Sequence, residues 1–156
     1  MNYMLRERLG EELKQAMKSK DTRRMSTLRL IIAALKDREI AARSDGKEEA
    51  ISDQEIISIL STMVRQRRES IELYSKGGRD DLVQQEEEEA AIISSFLPKQ
   101  LEDNEVREAI RAIMDEIGAS GIKDMGRVMG ELKRQYAGSM DFGSASGIVK
   151  ELLSDD

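Results

Sequence analysis

The sequence predicts an all-α protein, on three observations. A single proline interrupts 156 residues, charged residues make up 36% while aromatic residues make up 3%, and apolar residues recur three and four apart through most of the chain. Strand formers and turn punctuation are both scarce, which favours long helices. The expected architecture is an N-terminal antiparallel helical bundle of hairpins over residues 1–97 and a small C-terminal three-helix domain over residues 98–156.

In chain order, Leu5, Leu9, Leu13 and Met17 predict a first helix ending near Lys20 and Asp21. A second follows from Thr22 to Arg43, with Asp21 or Thr22 as its cap and Leu28, Ile31, Ile32 and Leu35 as its stripe. The polar loop from Ser44 leads to Ser52-Asp-Gln-Glu55, a capping-box pattern that starts a third helix at Asp53. That helix carries Ile56, Ile59, Leu60, Met63, Ile71 and Tyr74 inward and ends at Gly77-Gly78. Asp80 to Ser95 reads as a fourth helix, its face formed by Leu82 and Ile93 and continued by Leu97. Proline disfavours α geometry in the residue before it, so the chain leaves the helix around Phe96-Leu97-Pro98, and the domain boundary is placed there.

Beyond the boundary, Asp103 or Asn104 is expected to cap a fifth helix with Val106, Ile110, Ile113 and Ile117 inward and Gly118 at its end. Asp124 caps a sixth, lined by Met125, Val128, Met129, Leu132 and Tyr136. A turn at Gly138-Ser-Met-Asp141 then enters a last helix bearing Ile148, Val149, Leu152 and Leu153. With few aromatics, the core rests on Leu, Ile, Val, Ala and nine methionines.

Composition closes most catalytic routes. The chain has no histidine and no cysteine, which removes the usual neutral-pH acid–base group, Ser-His and Cys-His nucleophiles, disulfides and thiolate metal sites. No calcium-loop or phosphate-loop pattern occurs, and consecutive helical residues such as Glu86 to Glu89 point about 100° apart and do not converge on one ion. No catalytic residue, metal or cofactor is assigned. The N-terminus has no signal-peptide core and no segment has the apolar length of a membrane span, so the expectation is a cytoplasmic protein without a membrane partner. A net charge of −6 argues against bulk binding to nucleic acid and leaves local patches open.

Two charges fall where periodicity expects apolar residues: Arg67 between Met63 and Ile71, and Glu86 between Leu82 and Ile93. If the third and fourth helices form a hairpin about Gly78, Arg67 lies opposite Glu89 with Glu86 a turn away. A partly buried, register-setting ion pair is the expectation.

The sixth helix carries Gly126 and Gly130 in its interior and the seventh starts with Gly143 and Gly147, although each interior glycine costs ~1 kcal/mol against alanine. Close packing of glycine on glycine is the favoured explanation. The alternative is a shelf, edged by Lys123, Arg127, Lys133 and Arg134, where a phosphodiester backbone approaches the main chain. Secondary basic clusters are Lys14, Lys18, Lys20, Arg23, Arg24 and Arg29 around the first interhelical turn, and Arg65, Arg67, Arg68, Lys76 and Arg79 along the third helix. No aromatic interleaving accompanies them, so they read first as solvated faces, and otherwise as contacts to folded RNA or to acidic proteins.

Phe96-Leu-Pro-Lys-Gln-Leu101 and the run Asp124-Met-Gly-Arg-Val-Met-Gly130 through Val149 and Leu153 resemble the YqeY proteins of the GatB/YqeY family. So do Leu13-Lys-Gln-Ala-Met-Lys18, Leu28-Arg-Leu, Arg65-Gln-Arg-Arg-Glu-Ser70 and Gly78-Arg-Asp-Asp-Leu82, in the right order over nearly the whole chain. That family shares its helical fold with the tRNA-contacting tail of the B subunit of the tRNA-dependent amidotransferase, which converts misacylated Glu-tRNA or Asp-tRNA to the amide. The resemblance implies a tail without its engine: an accessory protein binding tRNA or a tRNA-associated complex. The family label of a glutamine-dependent carbon–nitrogen ligase would then describe the complex. Ala137-Gly-Ser-Met-Asp-Phe-Gly143 departs from the family's Gly-Lys-Ala-Asp-Gly-like turn, and the missing lysine weakens a phosphate role there. The other reading is a protein–protein adaptor or a homo-oligomeric helical module with no RNA role.

Overall fold

A computed structural model describes residues 4–46 and 50–154. These residues form seven α-helices and one 3-10 turn. The backbone divides into two compact units, Met1–Leu97 and Pro98–Asp156. Residues 47–49 of the polar loop expected after the second helix lie outside the described residues.

The first unit contains α1 (Met4–Ser19), α2 (Thr22–Ser44), α3 (Asp53–Lys76) and α4 (Asp80–Ser94). Asp21 caps α2, its carboxylate accepting the Arg24 N–H at 3.2 Å, and the Ser52 hydroxyl accepts the Glu55 N–H at 3.3 Å to start α3. The core joins Leu9, Ala16, Leu28, Ile31, Leu35, Ile56, Leu60, Met63, Val64, Ile93 and Phe96. On α1 the expected stripe holds from Leu5 through Leu13 and fails at Met17. A strict spacing of four drifts about 40° per step, which carries Met17 about 120° from Leu5. Met17 is accordingly half exposed, and Ala16, about 20° from Leu5, takes the inward place. Ile71 and Tyr74 of α3 are only partly buried, while Val64, not anticipated, is in the core. Thr27 is fully buried because its hydroxyl donates to the Arg23 carbonyl at 2.8 Å. Gly78, at φ +70°, takes the left-handed conformation that reverses the chain into α4.

A carboxylate ties three of these helices together. Glu89 of α4 is buried at 7% exposure. Its Oε2 accepts from Arg67 Nε of α3 at 3.2 Å, its Oε1 accepts from Gln85 Nε2 at 3.4 Å, and Arg23 Nη1 of α2 lies 3.9 Å from Oε1. Arg67 Nη1 also donates to the Met63 carbonyl at 3.3 Å, and Arg23 Nε donates to Glu88 at 3.2 Å. A carboxylate this deep is tolerated because each of its oxygens accepts a hydrogen bond and two guanidinium groups stand beside it. Glu86 stands beside this group. Burial pushes its carboxyl above the ordinary range, repulsion from Glu89 adds to that, and Arg67 opposes it.

The second unit contains α5 (Asp103–Ile117), a 3-10 turn (Ile122–Asp124), α6 (Met125–Gln135) and α7 (Phe142–Ser154). Its core is Val106, Ala109, Ile110, Ile113, Val128, Leu132, Met140, Ala145, Val149 and Leu153. The cap of α5 is Glu102, one residue ahead of the expected Asp103 or Asn104, because Glu105 reaches back to accept the Glu102 N–H at 3.1 Å. Gly118 ends α5 at φ +69°. Gln100 Nε2 donates to the Gly138 carbonyl at 2.6 Å and the Leu101 N–H to the Ser139 carbonyl at 2.8 Å, fastening the start of this unit to the α6–α7 turn. Asp141 then accepts from the Gly143 N–H at 3.0 Å and the Ser144 hydroxyl at 3.1 Å at the entrance to α7.

Breaking the buried pair with Arg67→Ala is expected to cost about 3 kcal/mol in urea denaturation, whereas the double change Arg67→Met, Glu89→Leu falls within about 1 kcal/mol of the parent. Glu86 supplies a pH test. A carboxyl whose folded pKa is raised binds its proton more tightly in the folded state, so its contribution to stability falls as pH rises through the raised value. Glu86→Gln should therefore be more stable than the parent at about pH 7. The advantage should vanish by about pH 4, below the ordinary carboxyl value of 4.5, as read by denaturation at both pH values.

Candidate nucleic-acid interface

The inner stripe of α6 is formed by Val128 and Leu132, with Met125 and Met129 partly buried beside them. Rotation of about 100° per residue places Gly126 and Gly130 roughly 110° and 150° from the middle of that stripe, on the outer side between Lys133 and Arg134. Both glycines are exposed, and a Cβ built at either meets nothing within 4 Å. Gly147 is equally open, and Gly143 meets only the Asp141 Oδ1 at 3.3 Å. The expectation of glycine-on-glycine packing is corrected accordingly: these residues stand too far around the helix from the stripe to admit a neighbouring helix. They leave bare main chain at the surface.

The four cations proposed to edge this face divide into two kinds. Arg127 is committed to the fold. Its Nη1 donates to Asp124 Oδ1 at 3.0 Å and its Nη2 to the carbonyl of Ile117, the last residue of α5, at 2.9 Å. Asp124, expected to cap α6 by its side chain, instead turns back to accept the Ser120 N–H at 2.9 Å. That backbone hydrogen bond, with Arg127 second, holds its carboxyl below the ordinary range. Arg134 is bound to Glu131, with Nε at 3.0 Å from one carboxylate oxygen and 3.2 Å from the other. Arg134 and then Gln135 lower the Glu131 carboxyl to about 2. Lys123 and Lys133 are exposed and make no ion pair among the described residues. The i,i+3 spacings Asp124/Arg127 and Glu131/Arg134 were visible in the sequence and are the signal that separates structural from available cations.

The secondary patch divides in the same way. Arg23 is held by Glu88 and Glu89, and Arg24 pairs with Glu12 of α1 at 3.1 Å. Lys14, Lys18, Arg65 and Arg68 are exposed without an ion pair among the described residues. Lys14 and Lys18 lie on α1, and Arg65 and Arg68 on α3. No helix of the described residues is long and apolar enough to cross a membrane.

Residues 6–153 match the family described as Yqey-like protein. The chain belongs to this family. Among its relatives are proteins named Altered inheritance of mitochondria protein 41, mitochondrial. The Eremothecium gossypii protein is 38% identical over 89 residues, covering 57% of this chain and 46% of the relative. That of Vanderwaltozyma polyspora is 30% identical over 124 residues, covering 75% and 64%. That of Clavispora lusitaniae is 28% identical over 148 residues, covering 93% and 82%. The match thus spans about half to two-thirds of the first two YqeY-like relatives. Their names overturn the cytoplasmic expectation drawn from the lack of a signal-peptide core and of a membrane-length segment, since these YqeY-like proteins are mitochondrial. The physical reason is that a compartment address is read from a targeting segment by receptors, and the composition of folded helices carries no such information.

Because the space outside Gly126 and Gly130 is open, Gly126→Ala and Gly130→Ala are each expected to stabilise this YqeY-like protein by about 0.5–1 kcal/mol in thermal or urea unfolding, through helix propensity alone.

Proposed function

We propose that this chain is a non-catalytic accessory protein whose C-terminal unit docks the outer face of α6 on the backbone of a structured RNA, with tRNA the class to which the family resemblance points. The observation that carries the reading is the open Gly126–Gly130 face between Lys123 and Lys133. Two glycines that weaken a helix of 11 residues, and that no internal packing requires, make sense if something outside the fold approaches the main chain. The neighbouring lysines, which make no ion pair among the described residues, suit phosphate oxygens. Arg127 and Arg134 frame the face and hold the α5–α6 turn and the helix surface in shape, so their direct share in phosphate contact is small. In this reading any part in glutamine-dependent amidotransfer is that of a docking subunit, since the chain offers neither histidine nor cysteine for the chemistry.

The test is binding of labelled total tRNA to the purified protein. With two lysines neutralising phosphates, affinity should fall about tenfold between roughly 50 and 200 mM salt. The Lys123→Ala, Lys133→Ala variant should lose most of the binding and the salt dependence, and Gly126→Ala, Gly130→Ala should weaken binding while the protein itself becomes more stable. No saturable binding at low salt, or binding indifferent to both pairs of substitutions, would contradict the proposal.

A further inference from the structure

The outer face of α6 offers hydrogen-bond acceptors as well as positive charge. Past the first turn of a helix each N–H is consumed by the ladder, whereas each carbonyl oxygen keeps a second lone pair. That lone pair is ordinarily shaded by the side chain about one turn on, because helical side chains lean back toward the N-terminus. Gly130 and Gly126 carry no such side chain and have open space outside them. The carbonyl of Gly126, one turn before Gly130, and that of Ile122, one turn before Gly126, are therefore bare toward an outside donor.

This chain shows elsewhere what such a carbonyl takes. The Thr27 hydroxyl donates to the Arg23 carbonyl at 2.8 Å, the Thr62 hydroxyl to that of Ser58 at 3.1 Å and the Ser154 hydroxyl to that of Lys150 at 2.6 Å, each four residues back along its own helix. A phosphate oxygen is itself an acceptor and is repelled at such a position, whereas a hydroxyl fits it. Lys123 and Lys133 stand about 15 Å apart along the axis, one at each end of the bare stretch. Tyr136 and Phe142, the aromatic residues of this unit, are packed against its core, so neither is a free platform for base stacking. Hydroxyl donors between two rows of phosphates, with no base to be stacked, describe the minor groove of an A-form RNA stem, which is wide, shallow and lined by ribose 2′-hydroxyls.

We propose that α6 lies across the minor groove of an RNA stem, the carbonyls of Ile122 and Gly126 accepting from ribose 2′-hydroxyls while Lys123 and Lys133 meet phosphates of opposite strands. This rests on the RNA reading above and names the part of the RNA that the face takes. A DNA duplex has the phosphates without the hydroxyls, and a single strand has no groove for the helix to cross.

Fluorescence anisotropy at about 50 mM salt, with the full chain, compares four labelled probes: a hairpin RNA with a stem of about 16 base pairs, the same stem as DNA, the RNA stem with 2′-O-methyl riboses, which keeps the A-form but has no hydroxyl to donate, and a single-stranded RNA of equal length. Two hydrogen bonds predict that the RNA stem binds about tenfold more tightly than each of the other three. Gly126→Ala, Gly130→Ala should bring the RNA stem to within about threefold of the DNA stem and leave the DNA affinity unchanged, because the added methyl groups cover only the carbonyls. Lys123→Ala, Lys133→Ala should weaken both stems and preserve their ratio. Equal affinity for the RNA, DNA and methylated stems, a preference for the single strand, or a preference for RNA that survives the glycine substitutions overturns this inference and leaves the RNA reading standing. No binding of any probe overturns both.

Discussion

The first unit depends on one buried carboxylate. Glu89 is almost fully enclosed, and reached by Arg67 from α3 and by Arg23 from α2. Apolar packing alone allows a long helix such as α3 to slide by a turn against its partner, because Leu, Ile and Met are interchangeable in volume. A guanidinium that must meet a carboxylate allows one register only. The arrangement need not be the most stable one, since a buried ion pair repays its desolvation incompletely, and its contribution lies in fixing which residues face each other. Glu86, strained by the same enclosure, is the visible cost of placing two acidic residues one turn apart at that depth.

The second unit uses the same device at its surface. Asp124 and Arg127 close the α5–α6 turn, one accepting from the Ser120 backbone and the other donating to the end of α5. The consequence for function is selective: of the cations around α6, those with an acidic residue three positions away serve the helix itself, and Lys123 and Lys133 remain. The exposed glycines lie in the same arc. An affordable loss of helix propensity has thus been placed where the main chain is bare and the neighbouring positive charge is uncommitted.

Much of the fold was readable from the sequence. The helix boundaries at Asp53, Gly78 and Gly118 follow from a cap and left-handed glycines, chemistry local enough to be decided by a few residues. Periodicity found the stripes but not their limits. Met17 was lost to the 40° drift of a four-residue repeat, and Thr27 was overlooked because a hydroxyl bonded to its own helix hides its polarity. The glycines of α6 were read as a site of close glycine-on-glycine packing. Counting about 100° per residue puts them roughly 110° and 150° from the middle of the stripe, so their open surroundings were already legible in the spacing. The engagement of Arg127 and Arg134 was implicit in their i,i+3 acidic partners, whereas that of Arg23 and Arg24 rests on Glu88, Glu89 and Glu12, which only the tertiary fold brings near.

The central claim is that the outer face of α6 is kept bare for a partner with a phosphate backbone. Amide chemical-shift mapping of the isotopically labelled protein, titrated with total tRNA at about 50 mM salt, tests it most directly. The account predicts shifts and broadening concentrated between Lys123 and Arg134, with the amides of Gly126 and Gly130 among the most affected. Perturbation confined to α1, α2 or α3, or none at saturating tRNA, would contradict it.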